Sequence, residues 1–271
     1  MSTRTPTVLD RILVETRDEV ARRKREAPLA PPGADGEPRD VGLRPFHDAL
    51  NRPGIGVIAE FKRRSPSAGA LRDRPDLREI VGAYERGGAV AVSVLTEGPN
   101  FEGSLEDLRG AREACDLPLL RKDFIVDDYQ LREARAAGAD AVLLIVAALD
   151  PGELASLHGS ARAIGLDVLV EVHDRDELHR ALEIGADIVG VNNRDLRDFS
   201  VDVERTERLM DAMPSGVTAV SESGISNAGQ LLRLQERGVR AVLVGGALMA
   251  AVDPAAALRS LQAHRDDEKV L

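Results

Sequence analysis

The chain has 271 residues, 43% hydrophobic and 30% charged, a composition that supports a sizeable core and excludes disordered and fibrous classes. Its formal net charge of −10 argues against a duplex-binding surface, which needs clustered Lys and Arg, so no nucleic-acid partner is expected. The single cysteine, Cys115, leaves no disulfide framework or cysteine metal cage, and the longest apolar run, 141–149, is too short for a membrane span; with no signal-peptide core near the start, a cytoplasmic protein without membrane association is expected.

Residues 8–25 place Val8, Leu9, Ile12, Leu13, Thr16 and Val20 on one helical stripe and end in a basic run, Arg22 to Arg25, that complements a helix C-terminus. An amphipathic helix is predicted there. From Ala27 to Pro45, Pro28, Pro31, Pro32 and Pro38 with Gly33, Gly36 and Gly42 disfavour both helix and strand, which predicts a linker. Residues 1–50 are therefore read as an N-terminal helical extension and linker, and 51–271 as one catalytic domain.

Beyond Gly54, short β-rich runs alternate with helical stretches. Strands are predicted at 55–61, 90–95, 118–122, 140–146, 167–172, 187–191, 217–221 and 240–244. One βα unit per ~26 residues is the economy of a closed (β/α)8 TIM barrel rather than an open doubly wound sheet. An internal echo agrees: Gly88, Gly138, Gly185 and Gly238, each at a helix-to-strand junction, lie 50, 47 and 53 residues apart, two βα units per repeat. The 54–59 segment, GIGVIA, matches a dinucleotide fingerprint in letters but runs into a strand instead of opening a helix, so a nucleotide cofactor is rejected. The histidines show no metalloprotease spacing, and no metal is expected.

Barrel chemistry gathers where the strands end, and those ends are polar here. Period-two alternation puts Glu60 and Lys62 on one face of the first strand, and Lys122 and Phe124 on one face of the third. The fifth closes with Glu171, the sixth with Asn192 and Arg194, the seventh with Glu222. Only Lys24, Lys62, Lys122 and Lys269 are lysines among 36 basic residues, so a lysine in this chain is a chemical choice: unlike arginine, it can shift its pKa and transfer a proton. Two of the four stand at the rim beside three carboxylates, a density suited to acid–base catalysis. The plainer alternative, that Glu60–Lys62 and Glu171–Lys122 are ion pairs tying strands together, fits any one residue better than the whole set, because each buried charge costs several kcal/mol. Gly-containing turns after the last two strands, at Ser223-Gly224 and Gly245-Gly246, open helices whose N–H groups suit a phosphate, pointing to a phosphorylated small molecule.

These residues resemble the indole-3-glycerol phosphate synthase family. The likeness is carried by 58–67 (IAEFKRRSPS), 101–104 (FEGS), 120–124 (LRKDF), 133–140 (EARAAGAD), 169–173 (LVEVH), 192–196 (NNRDL), 221–225 (SESGI) and 243–245 (LVG), in the family's order. It implies a barrel with a helical extension beside the active-site mouth. It also implies conversion of 1-(2-carboxyphenylamino)-1-deoxyribulose 5-phosphate to indole-3-glycerol phosphate, CO2 and water, a carboxy-lyase reaction of tryptophan biosynthesis that uses no cofactor. By this resemblance Lys122 is the acid of ring closure, Glu171 the base of dehydration, and Lys62 a carboxylate contact and second acid; how the two lysines divide the proton transfers stays open. Glu60, Asn192 and Glu222 would orient these groups, and Arg194 would lie near the anthranilate carboxylate. Ser65, Ser223, Gly224, Gly245 and Gly246 would hold the phosphate, while Pro66, Phe101, Phe124, Leu143 and Ile145, with Ser65 nearby, would line a slot for the ring. Two positions depart from the family pattern: Glu102 stands where Gln or Asn is common, and Gly246, where Glu or Ser is common, leaves only backbone N–H at the phosphate end.

Phosphoribosylanthranilate isomerase is the nearest enzymatic alternative, but its resemblance would require a cysteine base closing the first strand. Tryptophan synthase α-subunit shares the barrel without the two rim lysines. A non-catalytic phosphate-binding or scaffold barrel would have no use for the complete acid–base set. Either a monomer or a homodimer fits the sequence.

Overall fold

A computed structural model describes residues 7–28, 42–66, 69–195 and 200–263. Most of the predicted linker, and Ser67, Leu196 and Lys269, lie outside the described residues.

Eight strands form the barrel: β1 (Gly56–Phe61), β2 (Ala91–Leu95), β3 (Leu119–Lys122), β4 (Ala141–Ile145), β5 (Asp167–Val172), β6 (Ile188–Asn192), β7 (Thr218–Glu222) and β8 (Ala241–Val244). Each is parallel to its neighbours, and β1 pairs with β8 from Gly56↔Ala241 to Ala59↔Val244, so the ring has no edge. All eight fall within one residue of their predicted limits. They are apolar almost throughout because interior side chains fill the barrel while the outer ones pack under helices. The 54–59 glycine pattern leads straight into β1, as the sequence predicts, and opens no helix.

Helices begin where a short polar side chain can satisfy free N–H groups. Asp76, Ser104, Asp127, Asp150, Asp174, Asn227 and Asp253 each accept a backbone N–H of the helix they precede, worth about 1 kcal/mol apiece. The helices stop for an equally local reason: the four echo glycines have φ of 87°, 90°, 76° and 90°. That left-handed turn closes a helix and is open to glycine without strain, so the repeat marks one recurring junction.

The N-terminal segment divides between the two ends of the barrel. Helix α1 (Val8–Glu26) starts with a capping box between Thr7 and Asp10 and buries Leu9, Ile12, Thr16 and Val20. Lys24 pairs with Asp127 at 2.8 Å and Arg17 with Glu153 at 3.0 Å. Both partners follow the C-terminal ends of strands, so α1 lies at the rim. Helix α2 (Phe46–Leu50) instead buries Phe46 and Leu50 against the base. There the His47 N–H donates to Asp167 Oδ2 at 2.9 Å, and Asn51 Nδ2 donates to Thr218 Oγ1 at 2.9 Å. Asp167 and Thr218 open β5 and β7.

Candidate active site

Strand alternation sends Lys122 into the barrel mouth and its neighbour Arg121 outward, where Arg121 is wholly buried and its guanidinium pairs with Asp123 at 2.8 Å and donates to the Gln130 carbonyl at 2.7 Å. Lys122 Nζ lies 3.2 Å from Glu171 Oε2 and 3.1 Å from Glu222 Oε2. Both carboxylates are almost completely withdrawn from solvent. Asn192 Nδ2 donates to Glu171 Oε1 at 3.1 Å. Beside them Lys62 Nζ donates to Glu60 Oε1 at 2.5 Å. Both ion pairs of the plainer alternative are therefore present, but within one cluster facing open space rather than as separate ties between strands.

Two glycines make room for the carboxylates. A Cβ at Gly245 would stand 2.3 Å from Glu60 Oε1 and 3.1 Å from Lys62 Nζ, and one at Gly190 would stand 2.2 Å from Glu222 Oε1. Gly245 was expected only as a phosphate ligand, and Gly190 was not singled out. The signal for it is a glycine inside a strand, which marks close approach by another group.

Charge sets the protonation states. Burial alone pulls Lys122 downward, but Glu222, Glu171 and Glu60 outweigh it and hold the ammonium above the ordinary lysine value. Burial pushes the Glu222 carboxyl up to about 7, only partly offset by Lys122. Burial acts on Glu171 in the same sense, yet Lys122, His173 and Asn192 overcome it and keep this carboxyl below its usual value. One cation thus faces one firmly ionised carboxylate and one that readily carries a proton.

A cavity of about 340 Å3 lies over this cluster, within the range of small-ligand sites. Its wall contains the acid–base group (Glu60, Lys62, Lys122, Glu171, Asn192, Glu222), the apolar group (Pro66, Phe101, Phe124, Leu143, Ile145), the turn residues (Ser65, Ser223, Gly224, Gly245, Gly246) and Arg194. Every site residue expected from the sequence is brought to it. The Phe101 and Phe124 ring centroids are 6.4 Å apart and tilted by 41°. Ser65 belongs to a short ribbon, Arg64–Ser65 against Gly69–Ala70, that follows β1.

Opposite the aromatic pair, Ser223 and Gly224 have consecutive left-handed φ values of 66° and 79°. Gly245 precedes the short helix Gly246–Ala250 without a side-chain cap. A Cβ at Gly246 would meet nothing within 4 Å, so its departure from the family pattern leaves open space. Glu102 pairs with Arg64 at 3.3 Å outside the cavity wall.

The sequence reading missed several residues. Leu71, Leu95 and Leu243 extend the apolar wall. Asp123 also lines it, accepting from Thr96 Oγ1 at 2.6 Å and from the Phe124 N–H at 2.9 Å, and so fixes the turn after Lys122. Glu97 accepts from the Asn100 and Phe101 N–H groups at 2.8 and 2.9 Å and shapes the loop carrying Phe101. Asp123 stands inside the quoted LRKDF segment, but its role depends on Thr96, distant in sequence. No residue of α1 lines the cavity; its rim contacts place it beside the mouth but outside that wall.

Among the described residues no helix is long and apolar enough to cross a membrane, and no group of three His, Cys, Asp or Glu could hold a metal ion.

A closed parallel barrel with paired ammonium and carboxylate groups around a cavity at its C-terminal rim has the architecture of a (β/α)8-barrel enzyme. Residues 9–261 match the family described as Indole-3-glycerol phosphate synthase. Indole-3-glycerol phosphate synthase 2 of Streptomyces coelicolor is 49% identical over 257 residues, covering 94% of this chain and 98% of that protein. The indole-3-glycerol phosphate synthase of Mycobacterium ulcerans is 47% identical over 264 residues, covering 94% and 93%. The chain belongs to the indole-3-glycerol phosphate synthase family. Among solved structures, thiamine phosphate pyrophosphorylase from Pyrococcus furiosus superposes with a TM-score of 0.60 at 19% identity over 80% of this chain and 98% of that one. A mutant tryptophan synthase α-subunit from Pyrococcus furiosus gives 0.59 at 14% identity over 77% and 98%. These two likenesses concern the fold alone.

Proposed function

We propose that the chain converts 1-(2-carboxyphenylamino)-1-deoxyribulose 5-phosphate to indole-3-glycerol phosphate, CO2 and water, acting as a carboxy-lyase in tryptophan biosynthesis. The observation that carries this reading is Lys122 held between Glu171 and Glu222 inside a cavity that has an apolar pair of rings on one side and glycine turns on the other.

Ring closure joins the aromatic carbon bearing the carboxylate to the sugar ketone carbon, and the ketone oxygen must gain a proton as it becomes a hydroxyl. Lys122 is protonated at neutral pH and supplies it. Loss of CO2 returns the bonding electrons to the ring. Dehydration then needs an acid at the departing hydroxyl and a base at the neighbouring carbon. Glu171, kept ionised, is the base; Lys62, beside Glu60, contacts the substrate carboxylate with Arg194 and serves as a second acid. The aromatic slot excludes water from the ring, which strengthens each charge interaction in the cavity. The phosphate is held by Ser65 and by N–H groups of the turns at Ser223-Gly224 and Gly245-Gly246.

An isomerase of the phosphoribosylanthranilate type is disfavoured by the position of Cys115, which follows the helix Leu105–Ala114 and precedes β3, at the end of the barrel away from the mouth. The chain is proposed to work in the cytoplasm as a monomer or homodimer. Incubating it with the carboxyphenylamino substrate should produce indole fluorescence with multiple turnovers. Tight binding without fluorescence would instead favour a non-catalytic barrel.

A further inference from the structure

Lys122 stands almost midway between two buried carboxylates, 3.2 Å from one and 3.1 Å from the other. Geometry this even does not decide which of them is the free base. Their outer oxygens differ, however. Glu222 Oε1 is buried without a hydrogen-bond partner, whereas Glu171 Oε1 accepts from Asn192 and faces His173 Nε2 at 3.6 Å. His173 follows the end of β5 and is absent from the cavity wall. Its ring is held from behind by Glu177, whose Oε2 lies 3.0 Å from Nδ1 and accepts the His173 backbone N–H at 2.7 Å. Glu177 sits in the first turn of the helix Arg175–Glu183, where the dipole favours a carboxylate. His173 Nε2 is itself buried and has no hydrogen-bond partner, and Glu171 Oε1 is the carboxylate oxygen it faces.

We propose that His173, backed by Glu177, is a positioning residue that keeps Glu171 ionised and thereby assigns the role of base to Glu171 rather than Glu222. This inference rests on the proposed function, in which Glu171 is the base of dehydration. The imidazolium puts a second positive charge on the side of Glu171 away from Lys122. Glu222 has no such neighbour and takes the shared proton. The charged groups facing the ring are Glu171 from β5, Glu177 from the following helix, and Arg205 from the helix Glu204–Met210. Burial pulls the imidazole down and Arg205 opposes its charge, but Glu177 and Glu171 prevail and hold it above its ordinary value. The Nδ1–H donated to Glu177 keeps the ring oriented with Nε2–H toward Glu171.

The test is the pH dependence of kcat in the full chain and in His173→Gln and Glu177→Gln. Removing the imidazolium, or the carboxylate that maintains it, raises the pKa of Glu171. The acidic limb of kcat should therefore move up by about one pH unit, so that at pH values below the midpoint of the wild-type limb activity falls about tenfold more than activity near pH 8.5, with little change in KM. An acidic limb that stays in place in both variants overturns the proposal and leaves the ring a packing element. A second measurement does not depend on turnover: NMR titration of His173, one of five histidines, assigned by the signal lost in His173→Gln. In Glu171→Gln the ring should titrate at lower pH than in the wild type; an unshifted titration overturns the coupling. Absence of synthase activity in the wild type would refute the proposed function while the titration still decided whether the two groups are coupled.

Discussion

Lys122 shows why arginine, this chain's usual cation, would not serve at the mouth. A guanidinium keeps the charge but is planar, forked and too wide to sit between Glu171 and Glu222 with the same donor geometry. Lys122→Arg is expected to fold, to bind the substrate and to lose about 10²–10⁴ in kcat, the usual contribution of a general acid; near-normal kcat would mean that the lysine only pairs with its neighbours. Glu222 gives a second expectation. Its carboxyl moves from an ordinary 4.5 up to about 7 in the fold, so the folded chain binds this proton more tightly than the unfolded one. The corresponding stability is fully present below about pH 4.5 and is lost as pH rises through 7. In Glu222→Gln that loss is absent, and the melting temperature of the wild type relative to the variant should decline between pH 5 and pH 8. A constant difference would show that the carboxyl is not raised. The two rim lysines were legible in the sequence because lysine is rare here and they close predicted strands. Gly190 was not, because the group that needs its missing side chain, Glu222, comes from the adjacent strand.

Helix α1 reaches the slot wall through a chain of charged contacts that starts at the half-buried Arg23. Arg23 stands 3.5 Å from Glu133, which also approaches Arg121 at 3.4 Å; Arg121 in turn holds Asp123, and Asp123 accepts the Phe124 N–H. Removing α1 takes a charge from one end of this chain of contacts while α2 still closes the base. A chain starting at Phe46 should therefore fold with a lower melting temperature, keep its phosphate affinity and lose more than roughly tenfold in kcat/KM, about 1.4 kcal/mol of transition-state stabilisation. Wild-type kinetics with only a lowered melting temperature would make α1 a structural support. The barrel strands and α1 could be read from the sequence because their periodicity is sustained. The ribbon 64–70 and α2 could not: two-residue strands have no period, and a five-residue helix behind Pro45 looks like the end of a linker.

The whole barrel separates its tasks by end. Its base is closed by Phe46, Leu50 and the polar contacts of Asp167 and Thr218, and its mouth carries the charged cluster whose burial costs stability. This division explains why the fold class and the charged cavity residues were both accessible from strand ends; Ser65, Pro66, Phe101, Leu143 and Ile145 came only from the family resemblance, and Asp123, Glu97 and His173 required the spatial neighbours that only the closed ring supplies. The decisive measurement is turnover by the full chain after dialysis against EDTA, with no nucleotide added, following indole fluorescence and released CO2 together. One CO2 for each indole product, at a rate unchanged by added divalent metal or NAD, is predicted; no product, or product only when metal or nucleotide is restored, would contradict an acid–base mechanism built on Lys122 and Glu171.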